Sequence, residues 1–376
     1  MRHRAPATRA TLARRSLLAA VPALAVTAAC ASDDESADIG GEGAAEETPS
    51  PEPSPEPEPA TVRITHVGDT VLGAAPDDLP ANDGVDFFDD VVEELDGDVV
   101  IANLEGALSL LDDWEKCEGE CSYFRMPPEY ADIFSDAGFD VLTVANNHAF
   151  DAGPEGAAET EQAVNDAGMA LTGLEGQIAE IDVDGTTVAI VGFAPYYMFT
   201  DVRDLDAVTA LVATAAEQAD IVIATAHLGA EGVDARHVEP GPEEYLGEER
   251  GDTVAFAHAA IDAGAHMVIG HGPHVMRGME MYNGGLIAYS IGNFGGQVLN
   301  GDGLLGVGAI IKIDIDPDTH EIVGGDLVPT RMAGDGRPSI DGSEEAFDEV
   351  NELSEADFGE NAVTIADDGS LQLPGV

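Results

Sequence analysis

The stretch AGFDVLTVANNHAFDAG, residues 137–153, sets the fold problem. An apolar run, Val141 to Ala145, ends abruptly on Asn146, Asn147 and His148, then reaches an aspartate and a glycine. Amide and imidazole groups are costly to desolvate unless something receives them. The same design recurs along the chain in VRITHVGD (62–69), DVVIANLE (98–105), DIVIATAHLG (220–229), HMVIGHGPHV (266–275) and GLIAYSIGNF (285–294). Short apolar runs that alternate with helical segments predict an α/β fold. In such sheets ligands sit beyond the carboxyl ends of the strands, where the connecting loops meet.

Read this way, the strand ends deliver Asp69, Glu105, Asn147 with His148, His227, His271 with His274, and Asn293 to one rim. Carboxylate, amide oxygen and imidazole without cysteine are the donors of a divalent-metal centre, one or two ions of Mn, Fe or Zn. Two ions sharing a carboxylate suit displacement at phosphorus. Each residue alone has a plainer reading: Asp69 as a helix cap, His227 as a satisfied core histidine, Asn146 and Asn147 as backbone caps. Their joint appearance after separate strands favours a site. His66 lies three residues before Asp69, so strand alternation puts it on the opposite face unless Gly68 bends the chain.

Composition narrows the class of function. The net charge is -58, with 73 acidic residues against 15 basic ones, and the only lysines are Lys116 and Lys312. No basic face is left for nucleic acid. Residues 1–30 read as an export signal: Arg14 and Arg15 open RRSLLAAVPALAVTAAC, whose apolar part is too short to span a bilayer. The twin arginine resembles a Tat signal, and Cys30 after small residues is the expected lipid-attachment point, which would anchor the protein on the outer face of the cell membrane. Residues 31–60, rich in Pro and Glu, form the expected disordered tether. In an exported protein, Cys117 and Cys121 in KCEGEC predict a disulfide.

The motifs GDTVLG, IANLEGAL, FRMPPEY, AGFDVLTVANNHAFDAG, AHLGAEG and IDAGAHMVIGHGPHVMRGMEMYNGGLIAYSIGNF together resemble the capsule-synthesis protein CapA family. That family is associated with poly-γ-glutamate synthesis and belongs to the calcineurin-like metallophosphoesterase superfamily. The resemblance covers roughly residues 62–300 and implies a four-layer α/β/β/α sandwich of metallophosphoesterase type; the apolar runs after Asp302 extend the expected domain to 61–335, with 336–376 as an acidic extension packed on it. It implies Asp69, Glu105, Asn147, His227, His271 and His274 as metal ligands and His148 as the catalytic proton donor.

Two positions depart from the superfamily pattern. Val71 stands where the first block has a histidine, and Gly272 and Pro273 separate His271 from His274. Arg125, Arg277 and Asn293 are the expected substrate contacts. The expected function is a metal-dependent phosphoesterase-like activity in capsule or poly-γ-glutamate synthesis. It would act on an anionic polymer or phosphoester beside a membrane-bound synthesis complex. The alternative is a non-enzymatic assembly or polymer-binding factor.

Overall fold

The structure is a computed structural model that describes residues 11–13 and 61–375, apart from 118, 120, 300 and 333. The rest of the expected export signal, including Arg14, Arg15 and Cys30, and the tether at 31–60 lie outside the described residues.

Strand alternation builds two sheets with one core between them. In Val99–Leu104, Val99 and Ile101 face one way and Val100, Ala102 and Leu104 the other. In Ile221–His227, Ile221 and Ile223 share that first core, while Val222, Ala224 and Ala226 face outward onto helices. Met267–His271 repeats the pattern with Met267 and Ile269 inside and Val268 outside. A strand covered on both faces reads as a continuous apolar run, as these do.

One sheet runs in the order 178–183, 186–193, 221–227, 267–271, 285–288, 279–282, 362–365 and 371–372, with the short strand Thr11–Ala13 pairing beside 178–183. The other runs 338–340, 322–332, 307–315, 62–71, 99–104, 141–143 and 170–172. The strands that carry the candidate residues are parallel within each sheet. Their carboxyl ends therefore share an edge.

Helices Ala131–Ala137 and Gly153–Asp166 cover the outer face of the second sheet, through Phe134 and Val164. Leu205–Ala216 and Thr253–Asp262 cover the first, through Val208, Leu211, Phe256 and Ala260. Asp204 and Asp252 cap these two helices, accepting from the Ala207 and Ala255 amides at 3.1 and 2.9 Å. Such a cap contributes about 1 kcal/mol. The layers are thus helix, sheet, sheet, helix.

The C-terminal segment is woven into both sheets. Pro338–Ile340 pairs with the Ile322–Met332 strand, and Ala362–Ile365 pairs with Met279–Tyr282. Between them, helix Glu345–Phe358 sends Ala346 and Val350 into the inter-sheet core.

Candidate metal centre

The alternation that points Val99 and Ile101 into the core carries on to Asn103 and Glu105, and that of Ile221 and Ile223 to His227. Ile269 is followed in the same way by His271, which stands opposite His227 in the strand register. The end of the inter-sheet core is therefore polar by parity alone.

The first strand reaches that end through a bulge. Its register slips between Val67 and Asp69. A Cβ on Gly68 would lie 2.0 Å from the Gly292 carbonyl, so only glycine allows this approach. The Asp69 amide donates to that same carbonyl at 3.1 Å. The slip also resolves the parity of His66, which packs against His271 with ring centroids 5.1 Å apart. Burial, then the neighbouring His271, pushes the His66 pKa down to about 3.

Asp69 is the hub. Its Oδ1 accepts from Asn103 Nδ2 at 2.7 Å, and its Oδ2 from the Gly272 amide at 3.3 Å. His271 Nδ1 lies 3.1 Å from Oδ1, close but not aligned for a hydrogen bond, and His274 Nδ1 lies 3.1 Å from Oδ2. Gly272 takes φ +105°, a left-handed turn that lets the Gly-His-Gly-Pro-His segment fold back and present both imidazoles. Ligand atoms of Asp69, Glu105 and His274 lie within 4.8 Å of one another.

The two asparagines at the end of the Val141–Thr143 strand divide the work. Asn146 is scaffold: its Nδ2 donates to Asn103 Oδ1 at 3.0 Å and the Leu104 carbonyl at 2.8 Å, and its Oδ1 accepts from the His148 amide at 3.0 Å. Asn147 is different, for its Oδ1 is buried with no hydrogen-bond partner. So are both carboxylate oxygens of Glu105, both ring nitrogens of His227 and of His271, and Nε2 of His66. One unpaired buried polar atom costs about 1–3 kcal/mol. Glu105 is grouped with Asp69 and His274, His271 touches Asp69, and the His227 ring centroid is 6.2 Å from that of His274, so the oxygen and imidazole chemistry gathered here fits Mn, Fe or Zn.

The electrostatics agree. Burial pulls the His274 imidazolium down, but Glu105, Asp69 and Glu231 outweigh it and push its pKa up to about 10. Burial, reinforced by the carboxylates of Asp69, Glu231 and Asp151, pushes Glu105 up to about 8. Burial would raise Asp69 as well, yet the adjacent His271 and His274 hold it well below the usual carboxylate range.

His148 stands beside the cluster, its ring stacked on Phe124 with centroids 3.9 Å apart. Its Nδ1 is 2.7 Å from Asp151 Oδ2, and Asp151 Oδ1 accepts from Lys116 Nζ at 2.6 Å. A carboxylate only accepts, and its 2.7 Å bond is shorter than the 3.2 Å approach of Lys116 Nζ to the same nitrogen, so the proton is assigned to Nδ1 and Nε2 is left for other work. Burial lowers the His148 pKa despite Asp151. Cys117 and Cys121 are bonded, next to Lys116 in the sequence.

The three expected substrate contacts have other partners in the fold. Arg277 is fully buried, with Nη2 2.7 Å from Glu243 Oε2, because a guanidinium inside the fold requires a carboxylate. Asn293 is also buried: its Oδ1 sits 2.9 Å from His274 Nδ1 and its Nδ2 donates to the Leu305 carbonyl, so it orients the histidine. Arg125 donates to the Leu111 carbonyl and lies over the Tyr123 ring, away from the lining of the cavity beside His148. The basic residues lining that cavity are Lys116 and Arg250.

Sequence reasoning missed Asn103 and Asp151 as supports, whereas the backbone-cap reading describes Asn146. Parity could have found Asn103, and the spacing His-x-x-Asp could have found Asp151. Val71, at the position of the absent first-block histidine, is buried in the outer core.

A family model described as bacterial capsule synthesis protein PGA_cap matches residues 63–297. The PGA biosynthesis protein CapA of Bacillus subtilis is 28% identical over 253 residues, 61% of this chain and 61% of that protein. The capsule biosynthesis protein CapA of Bacillus anthracis is 28% identical over 255 residues, 61% of this chain and 59% of that one. A probable polyglutamine synthesis accessory protein of Mycobacterium tuberculosis is 29% identical over 230 residues, 54% and 57% of the two chains. The matches thus span about three-fifths of these relatives. A solved phosphatase from Mycoplasma pneumoniae superposes with a TM-score of 0.46 at 12% identity, over 72% of this chain and 94% of that one. Nothing below rests on that likeness.

Proposed function

The chain belongs to the bacterial capsule synthesis protein family PGA_cap, and from that premise we propose that it is a metal-dependent, phosphoesterase-like protein of capsule or polyglutamate synthesis. The observation that carries the reading is the set of unpartnered buried donors on Glu105, Asn147, His227 and His271, of which Glu105 lies within 4.8 Å of Asp69 and His274 and His271 Nδ1 lies 3.1 Å from Asp69. A divalent ion held there supplies Lewis-acid polarisation and neutralises developing negative charge.

The chain's own residues do the rest. Asp69, Glu105, Asn147, His227, His271 and His274 would hold the ion, with Asn103, Asn146 and Asn293 fixing their orientation. Asp151 holds His148 through Nδ1, so Nε2 is the atom that exchanges a proton with the substrate or its leaving group. Its lowered pKa favours taking a proton first and returning it to the leaving oxygen. Lys116 balances the charge of Asp151.

The export signal and Cys30 support placement at the outer membrane face. The relatives named for capsule and polymer synthesis support an anionic polymer or phosphoester as substrate and a membrane-bound synthesis complex as partner.

A panel of phosphomonoesters and phosphodiesters with the Mn-loaded protein tests this. Turnover should fall at least about 100-fold in His148→Ala and about 10-fold or more in Asp151→Asn, the scale of losing a positioned acid–base group. Unchanged rates in His148→Ala would overturn it. The second reading, a non-enzymatic assembly factor, is favoured by Val71 in place of a first-block histidine. It predicts bound metal with no turnover of any ester.

A further inference from the structure

His148, Asn147 and Glu231 open onto a cavity of ≈ 610 Å³. The two cations in its wall are already matched: Lys116 Nζ lies 2.6 Å from Asp151 Oδ1, and Arg250 pairs with Glu231 at 3.1 Å and Glu248 at 3.2 Å. What the wall offers a ligand is apolar surface. Tyr197 is 94% exposed, Leu246 86% and Trp114 42%, and these three come from separate segments of the chain. Phe150 and Phe199, also in the wall, meet edge to face with centroids 5.8 Å apart. The Trp114 indole lies against Gly153, where an added Cβ would meet it at 3.0 Å, so the start of the Gly153–Asp166 helix fixes its place.

Leu246 is the least expected of these residues. The hairpin of Glu243–Tyr245 and Glu248–Gly251 closes through Leu246 and Gly247, both at positive φ, +51° and +82°. A turn of that kind favours Asn-Gly, and a branched apolar side chain is strained in it. Strain and water exposure at one leucine point to a use for its side chain.

We propose that this cavity binds the apolar part of a phosphoester substrate, the ester of an alkyl or aryl alcohol whose phosphoryl group lies at the adjoining metal centre. This rests on the reading of that cluster as the reacting centre, and it selects a phosphoester over an anionic polymer. With both wall cations matched and a net charge of -58, a row of further anions finds no neutralising partner in this cavity. An alkyl or aryl group instead removes the exposed faces of Trp114, Tyr197 and Leu246 from water.

The probes are methylphosphonate and 4-phenylbutylphosphonate, which share one head group and resist hydrolysis, titrated by calorimetry into the Mn-loaded protein. The second should bind at least about 30-fold tighter. Leu246→Asn, which suits the turn, should leave the melting temperature unchanged or higher and yet weaken 4-phenylbutylphosphonate about 5-fold. Trp114→Ala should weaken it about 10-fold, and neither substitution should change methylphosphonate.

Equal affinities for the two phosphonates would overturn the apolar subsite while leaving the metal reading in place. If neither phosphonate binds, the phosphoryl reading fails, and 4-phenylbutanol added to metal-free protein decides the subsite through the fluorescence of Trp114, the sole tryptophan. A saturable response that weakens in Leu246→Asn upholds it, and no response overturns it. Binding to phosphatidylcholine vesicles that falls with the same substitutions, while the two phosphonates bind alike, would assign this face to a lipid surface instead.

Discussion

Ile269 and His271 stand two residues apart on one strand and face the same inter-sheet space, but they do opposite things. Ile269 belongs to the apolar cluster between the sheets, and its burial stabilises the fold by about 2 kcal/mol. His271 is as deeply buried, yet both of its ring nitrogens lack a hydrogen-bond partner. Ile101 and Glu105 make the same contrast on another strand. Strand geometry decides where a side chain goes, and its chemistry decides whether that burial is a gain or a cost. At the strand ends the cost is concentrated, which is what a bound cation would offset.

The largest effect should come from the apolar half. Ile269→Ala is expected to lower unfolding free energy by about 3–4 kcal/mol, measured by denaturant titration, with metal stoichiometry unchanged. Loss of metal capacity in the folded variant would break the distinction between the two halves.

Glu105→Gln should act in the opposite sense. Metal affinity is expected to drop about 100-fold, or roughly 2.7 kcal/mol, while metal-free stability stays within about 1 kcal/mol of the parent, since the acid makes no hydrogen bond and its contact with His274 Nε2 is a loose one at 3.6 Å. Destabilisation as large as that of Ile269→Ala would show that Glu105 is a structural residue.

A smaller effect follows from protonation. Glu105 titrates near 8 in the fold against an ordinary 4.5, and His274 near 10 against 6.5. Both sites hold protons in the folded protein that the unfolded chain releases, so each lowers metal-free stability as pH rises through its window. An ion displaces those protons. The rise in Tm caused by Mn should therefore be larger at pH 8 than at pH 6, by roughly 2–4 °C for each kcal/mol gained. Scanning calorimetry at both pH values checks it, and an equal increment at the two would contradict it.

The two halves also differed in how legible they were. Apolar alternation and the polar ending of each run were enough to place Glu105, His227 and His271 on one rim, because β-strand parity is a local rule. Asp69 required a slip at Gly68 that depends on Gly292, over two hundred residues away, so His66 could not be placed from alternation. Arg277 reads as a surface cation until Glu243 is seen beside it, and Asn293 as a substrate contact until His274 is. Tyr196 lies in a connection between strand and helix and Arg250 on the short hairpin strand Glu248–Gly251, both outside the periodicity of the two main sheets.

Pulsed electron paramagnetic resonance on the Mn-loaded protein bears most directly on the metal centre. The spectrum should carry nitrogen couplings from coordinated imidazole, and these should weaken when His227 and His271 are both replaced by alanine. A spectrum of fully hydrated Mn, with no nitrogen coupling at saturating protein, would contradict the assignment.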